Sequence, residues 1–269
     1  MNARDFTVAF RSQAFVGYLI TVVALGLIFG VLLNLVVAHF GPEGLQFTSS
    51  YGGYIVVSFA WVINLFVLLM ARSLSVGGFV TDKFSGFLEA PLSRSVSRVG
   101  LVFTRLAGVA VAVVVVAVAG PAALVIGFYL LAHQALPYAA AEILLAGVIV
   151  SGLVIAGLAF LFAYLTSSLS GARGATTATF VVLYWVYPIV FLVLPSRLFG
   201  EFFAPLAQIA RPALEANPLL LASTLVLGSN LIPSTLVGQW LPQWQQLLIG
   251  IAWLIGIVGG LAAKVMTSD

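Results

Sequence analysis

The chain has 269 residues, of which 62% are hydrophobic and only 7% are charged, and its formal net charge is +3. A soluble domain carries about 25% charged residues, so this composition excludes a water-soluble fold. No segments of about ten residues with alternating polarity occur, which excludes a membrane β-barrel. The chain has no cysteine and therefore no disulfide or thiolate metal site. The sequence predicts an all-α, polytopic membrane protein.

The N-terminal residues 1–14, MNARDFTVAFRSQA, alternate apolar side chains with arginines and other polar residues. This pattern predicts an amphipathic elbow helix that lies in the membrane interface. The alternative is a frayed tail before the first span. The segment lacks the apolar core and cleavage site of a signal peptide, so we expect it to remain on the mature protein.

A transmembrane helix needs about 20 apolar residues. Runs of that length predict six spans, over residues 15–37, 53–70, 106–131, 139–165, 176–194 and 245–263. Residues 195–242 connect the last two spans, and their apolar portion, 219–232, is too short to cross a bilayer. This connection is therefore predicted to form a re-entrant or interfacial segment on the outer face.

The basic residues give the predicted orientation. Of the 11 Lys and Arg residues, two lie on one side of the six-span layout, namely Arg197 and Arg211. The others lie on the opposite side: Arg4, Arg11, Arg72, Lys83, Arg94, Arg98, Arg105, Arg173 and Lys264. Because cytoplasmic loops carry the excess of Lys and Arg, both termini are predicted to be cytoplasmic. A charge excess of this kind reflects topology, and we expect no nucleic-acid partner.

Three polar residues fall within the predicted spans: Asn34, Asn64 and Glu142. Polar groups are costly in lipid, and such residues often line a transport pathway. Hydrogen bonds between packed helices explain the two asparagines as well, and Glu142 can reach the outer headgroups. Both interpretations, pathway and packing, stay open for these residues.

The chain lacks the usual signatures of catalysis. It contains no HExxH zinc motif, no GxSxG nucleophile elbow and no GxxxxGK[ST] phosphate-binding loop. His39 and His133 both lie near outer span ends, where an interfacial position explains them. We therefore expect no enzymatic activity and no metal or cofactor bound by this chain.

The cytoplasmic link between spans two and three has an unusual composition, with SGFLEAPLSRSVSR at residues 85–98. Its apolar residues fall at helical spacing, i, i+3, i+4 and i+8: Phe84, Phe87, Leu88 and Leu92. Pro91 disfavours helix at the residue before it. Residues 81–95 are thus predicted to form a short amphipathic helix whose apolar face suits a groove on a partner.

Three short motifs occur along the chain. The link reads DKFSGFLEAPLSR at 82–94, the N-terminus reads RDFTVAFRSQAF at 4–15, and EANP at 215–218 precedes the last span. Together with the six-span layout, these motifs resemble the permease subunits of type-2 ABC transporters. The permeases of sodium exporters and of nitrous-oxide-reductase maturation are nearest in length and layout. The link departs from the family in opening with Thr81-Asp82-Lys83.

The resemblance implies a permease subunit of an ABC exporter in the cytoplasmic membrane of a prokaryote. It implies a second permease copy as a homodimer, surrounding lipid, and two separate ATPase subunits that carry ATP and Mg. The residues that would contact the ATPase are Phe84, Phe87, Leu88, Glu89, Pro91, Leu92, Ser93 and Arg94. Two alternatives stay open: an ATP-independent channel or secondary carrier, and a membrane anchor for a cytoplasmic partner.

Overall fold

The computed structural model describes residues 9–40, 50–87, 97–132, 139–190, 212–227 and 241–267. Within these ranges every regular element is helical and no strand occurs. Five helices are long and apolar enough to cross a membrane. The chain is therefore a helical, multi-pass membrane protein, as the composition predicted.

Seven helices organise the described residues. They are α1 (Gln13–Phe40), α2 (Ser50–Leu74), α3 (Arg98–Ala132), α4 (Ala139–Leu165), α5 (Leu169–Val181), α6 (Leu221–Leu227) and α7 (Gln243–Met266). Two helices continue beyond these bounds with π-helical backbone. A π segment, Ser75–Val80, and a final turn, Thr81–Phe84, extend α2. The π segment Val182–Val186 extends α5, and the helical backbone runs on to residue 190.

The five membrane-crossing candidates match five of the six predicted spans. They are Gln13–Val36, Ser58–Phe84, Arg98–Leu131, Leu145–Leu165 and Gln243–Met266. The remaining predicted span, 176–194, falls on α5 and its extension, which are helical as far as they are described. The described part of α5 is less apolar because it includes Arg173, several threonines and Pro188. A sixth crossing therefore stays a prediction.

Two helices extend past the ends of the predicted spans. The second span was predicted to end at residue 70, but its helix continues to Phe84 because residues 73–84 are largely small or apolar and Phe79 and Val80 are buried. The third span was predicted to begin at residue 106, whereas α3 begins at Arg98. The fourth span, 139–165, coincides with α4. Of the predicted elbow, the structure describes a turn that begins at Ala9 and leads into α1, and residues 1–8 lie outside the described part.

Helices α1 and α3 run parallel and touch through glycine. A Cβ atom on Gly26 would overlap the carbonyl oxygen of Gly120, and one on Gly30 would overlap that of Leu124. Residue numbers rise together along this contact, so the two helices point the same way. Glycine spacing of this kind lets backbones approach closely in a membrane. Gly26 and Gly30 lie four residues apart, and the backbone that they contact is α3 of the same chain.

The centre of the bundle is formed by α2, α3 and α4. In the apolar windows of α2 and α4, 61% of residues are buried, and in that of α3 50% are. The corresponding share is 22% for α1 and for α7. Helices α1 and α7 therefore lie at the periphery.

Contacts between helix ends bring the basic residues together at one end of the bundle, here called the basic end. The last turns of α2 contact α3, α4 and α5 through Asp82, Lys83 and Thr81. Lys83 also interacts electrostatically with Arg98 and Lys264. Seven of the nine residues that the sequence assigned to one side are described and lie towards this end: Arg11, Arg72, Lys83, Arg98, Arg105, Arg173 and Lys264.

Candidate functional site

The first candidate site is the place where α2 ends. The backbone N–H of Ser85 still donates to the carbonyl oxygen of Thr81 at 3.0 Å, and Gly86 then has a φ angle of +79°. A left-handed residue directly after a helix is the usual glycine terminator, because side chains other than glycine rarely adopt it. The helix therefore ends here, and Phe87 follows with 72% of its surface exposed.

The predicted helix over residues 81–95 does not match this geometry in its described part, residues 81–87. Thr81–Phe84 is the last turn of α2, so Phe84 does not begin a separate helix. The spacing of Phe84 and Phe87 is helical in sequence, but Gly86 breaks the backbone between them. The other predicted ATPase-contacting residues lie outside the described part of the chain: Leu88, Glu89, Pro91, Leu92, Ser93 and Arg94.

An ion pair attaches the end of α2 to α3. Nη1 of Arg105 lies 3.1 Å from Oδ2 of Asp82, and the two side chains are 12% and 28% exposed. Partial burial makes such a pair more consequential than one on an open surface, because removing one partner leaves a poorly solvated charge. The pair therefore holds the last turn of α2 against α3.

Lys83 attaches the same turn to α4. Its Nζ donates a hydrogen bond to the carbonyl oxygen of Ala163 and lies 3.9 Å from the centre of the Tyr164 ring. A cation held over an aromatic face is attracted by the negative face of the ring. One turn earlier, the rings of Phe79 and Phe160 stack with centroids 4.1 Å apart. The end of α2 thus follows α4 closely.

Helix α5 supplies the third attachment. Nη2 of Arg173 donates to Oγ1 of Thr81 at 3.0 Å, and Nη2 of Arg72 donates to Oγ1 of Thr177. The turn at Gly86 is therefore carried by a helix end fixed to three neighbouring helices. These contacts join the end of α2 to α3, α4 and α5.

The second candidate site lies in the middle of the bundle, where residues 212–227, here called the inserted segment, pack between α2, α4 and α7. Nδ2 of Asn64 donates to the carbonyl oxygen of Leu219 at 2.5 Å. Oγ of Ser151 donates to that of Pro218 at 2.8 Å. Asn64 and Ser151 lie near the midpoints of α2 and α4, so the segment reaches the middle of the bundle.

Asn217 fixes the turn of the inserted segment. Its Oδ1 accepts from the backbone N–H of Leu219 at 3.0 Å, and its Nδ2 donates to the carbonyl oxygen of Leu183 at 2.7 Å. Leu183 lies in the π segment of α5, where carbonyls bond to the N–H five residues on. For Leu183 that residue is Pro188, which has no N–H. Asn217 therefore supplies the hydrogen bond to the carbonyl oxygen of Leu183 that the backbone of α5 cannot supply.

Three further contacts close the inserted segment. Oε1 of the buried Glu215 accepts from the backbone N–H of Leu241 at 2.6 Å. Nε1 of Trp253 in α7 donates to the carbonyl oxygen of Ala216 at 3.1 Å. A Cβ atom on Gly147 would lie 2.5 Å from Cα of Ala222, so α4 touches the backbone of α6 directly. The contacts come from the residues that precede α7, from α7 itself and from α4.

The three polar residues that the sequence placed within spans have different positions in the structure. Asn64 is fully buried and holds the inserted segment, which favours the packing interpretation. Asn34 lies in α1 and is half-buried, whereas the residues that hold the inserted segment lie on other helices. Glu142 belongs to α4, and its side chain lies outside the described part. Sequence reasoning missed the role of Ser151, which lies four residues after Gly147 and contacts the inserted segment as Gly147 does.

No set of three or more His, Cys, Asp or Glu side chains able to hold a metal occurs in the described ranges. Asn64, Ser151 and Asn217 each donate a hydrogen bond to a backbone carbonyl, and these contacts hold the inserted segment in place. Comparison with protein-family models gives no match. Comparison with curated protein sequences gives no match either. The function must therefore be inferred from the residues and their geometry.

Proposed function

We propose that this chain is the permease subunit of an ABC exporter and that a separate ATPase contacts the turn after α2. The observation that carries the proposal is the exposed Phe87, placed directly after a glycine-terminated helix whose last turn is attached to α3, α4 and α5. Exposed aromatic side chains are common anchors of protein interfaces. Because of the attachments, a displacement of Phe87 by the ATPase would also displace α3, α4 and α5.

In the proposed cycle, two copies of the chain form a homodimer in a prokaryotic cytoplasmic membrane, with their basic ends facing the cytoplasm. Two ATPase subunits bind ATP and Mg and close on each other. Closure displaces the turn at Gly86, and the ion pair between Asp82 and Arg105 passes the displacement to α3. ATP binding can shift the permease between two conformations only if the ATPase contacts those conformations with different free energy.

The inserted segment has a different role in this proposal. Asn64 of α2 and Ser151 of α4 donate to its carbonyls, and its own Asn217 donates to the extension of α5. These attachments favour a rigid element against which the other helices move. The polar atoms that hold the segment are engaged by backbone, so they support packing more than substrate binding.

An ATP-independent carrier is the second candidate. Such a protein usually needs titratable residues or an ion site near the bilayer centre. Among the described residues, the side chains that hold the inserted segment on α2, α4 and α5 are the neutral Asn64, Ser151 and Asn217, and the one buried carboxylate of the segment, Glu215, accepts a hydrogen bond from the backbone N–H of Leu241. A membrane anchor is the third candidate, and the four attachments of the last turns of α2 exceed what simple anchoring requires.

Purification from native membranes tests the proposal. The tagged chain is isolated in mild detergent and assayed for ATP hydrolysis, with orthovanadate as the inhibitor. We expect an ATPase subunit to copurify in equal amount and to hydrolyse ATP in a vanadate-sensitive manner. Isolation of the chain without an ATPase, under conditions that preserve its fold, would contradict the proposal and favour the carrier.

A further inference from the structure

A cavity of about 280 Å³ opens at the basic end, between the turn that precedes α1 and helices α2, α3 and α4. Its walls include Ser12, Ser73, Gly77, Gly78, Arg105 and Phe160. Pockets for drug-sized ligands begin at about 300 Å³, slightly above the volume of this cavity. The cavity is thus large enough for a small polar group and too small for a whole lipid.

The lining of the cavity is amphipathic. The remaining walls are alanine, leucine, valine and phenylalanine side chains, and Arg105 contributes the positive charge. Arg105 is also the last charged residue before the long uncharged stretch of α3, so it marks the boundary of the predicted hydrocarbon region. A cavity with one cationic side and apolar walls at this level faces the headgroup region of the bilayer.

The charge balance around the cavity favours an anion. Towards the basic end, the described residues include seven Lys and Arg side chains, whereas Asp82 is the acidic side chain among the described helix ends. Asp82 neutralises part of the charge of Arg105. Basic pockets between transmembrane helices on the cytoplasmic side are known binding sites for anionic lipid headgroups.

The space beside Gly77 and Gly78 is open. A Cβ atom on either residue would meet no other atom within 4 Å. These glycines therefore do not serve close helix packing, unlike Gly26 and Gly30. Their lack of side chains leaves the cavity accessible along the π segment of α2.

We propose that this cavity binds the phosphate group of an anionic membrane lipid, with Arg105 as the cation that contacts it and the apolar walls beside the lipid's glycerol region. The proposal does not depend on the ABC permease function. A phosphate could also come from solution, but inorganic phosphate has no apolar part that would benefit from the leucine and phenylalanine walls.

Native mass spectrometry of the full-length chain tests this site. The protein is purified in detergent and titrated with phosphatidylglycerol, with phosphatidylcholine as the zwitterionic control, and separately with inorganic phosphate. Arg105→Gln removes the cation, and Gly78→Leu fills the open space without changing the charge. Asp82→Asn is the matched control, because it breaks the same ion pair but keeps Arg105. Thermal melting verifies that each variant is folded.

We expect the wild type to bind one phosphatidylglycerol about tenfold more tightly than phosphatidylcholine, as one charge-assisted contact allows. Arg105→Gln and Gly78→Leu should each lose this preference, and Asp82→Asn should retain or increase it. Equal binding of the two lipids by the wild type would overturn the proposal, as would an undiminished preference in Gly78→Leu. Displacement of phosphatidylglycerol by inorganic phosphate at equal concentration would overturn the assignment to a lipid.

Discussion

Arg105 of α3 and Asp82 of α2 form a partly buried ion pair at 3.1 Å, beyond the points where the sequence placed the ends of both spans. The pair joins α2 and α3 in a region that the sequence analysis assigned to the cytoplasmic link between two spans. Because it lies one turn before Gly86, it connects the exposed Phe87 to the centre of the bundle. Much of the proposed function depends on this connection.

The ion pair predicts a measurable loss of stability. Asp82→Asn leaves the 12% exposed Arg105 without its charged partner, so we expect unfolding to become easier by about 1–3 kcal/mol. Denaturant unfolding in detergent measures the change. In the double variant Asp82→Asn/Arg105→Gln the cost should be smaller than the sum of the two single costs. Additive costs would mean that the two residues do not interact.

Asn217 and Pro188 should be coupled through the carbonyl of Leu183. Asn217→Ala removes two hydrogen bonds of the inserted segment, and we expect a cost of about 1–3 kcal/mol. Pro188→Ala supplies the N–H that the π segment lacks, so Asn217→Ala should cost less in that background. A double-mutant cycle on denaturant unfolding measures the difference. Equal costs in both backgrounds would contradict the assignment of Leu183 as an unsatisfied carbonyl.

Gly147 should tolerate no side chain. A Cβ atom there would lie 2.5 Å from Cα of Ala222, and backbone atoms cannot move aside as a flexible side chain can. We expect Gly147→Ala to destabilise the protein by about 1–3 kcal/mol. Gly256→Ala in α7 is the control, since its Cβ would meet nothing within 4 Å. Similar thermal stability of the two variants would argue against direct contact between α4 and α6.

Gly86 should be required for the turn after α2. An alanine at a φ angle of +79° is strained by about 1–2 kcal/mol. We expect Gly86→Ala to lower stability by that amount or to change the path of the link, which limited proteolysis between residues 86 and 98 would detect. Gly77→Ala at the same end, with open space around it, should leave both properties unchanged. Identical behaviour of the two variants would exclude a special backbone at Gly86.

The sequence predicted the membrane class, five of the helices and the gathering of basic residues, because these follow from apolar length and local charge. The fourth span was placed at the bounds that α4 has. Helices α2 and α3 extend past the predicted span ends because residues 73–84 and 98–105 continue the helices and pack on their neighbours. Helical spacing also suggested a helix through Gly86, where glycine instead ends one.

The inserted segment shows a second limit of sequence reasoning. Its apolar length indicated a re-entrant or interfacial element, but its depth depends on contacts between residues far apart in the chain, such as Asn64 with Leu219. No local pattern contains that information. Asn64 was recognised as a buried polar residue, and its partner became evident only once α2 and the segment were placed side by side.

The most direct test of the central proposal changes Phe87 and measures coupling to the ATPase. Wild type, Phe87→Asp and Met266→Asp are purified from native membranes and assayed for copurified ATPase and vanadate-sensitive ATP hydrolysis. Met266 is the matched control, because it is 65% exposed at the end of α7 and is not part of the turn. An aspartate there tests whether added negative charge alone disturbs the complex.

A buried interface anchor typically contributes 2 kcal/mol or more, which corresponds to a loss of affinity of about thirtyfold. We therefore expect Phe87→Asp to be folded and inserted, but to lose the copurified ATPase and its vanadate-sensitive hydrolysis by at least about tenfold, while Met266→Asp retains both. Wild-type levels of copurified ATPase and hydrolysis in Phe87→Asp would contradict the assignment of the α2 turn as the ATPase contact.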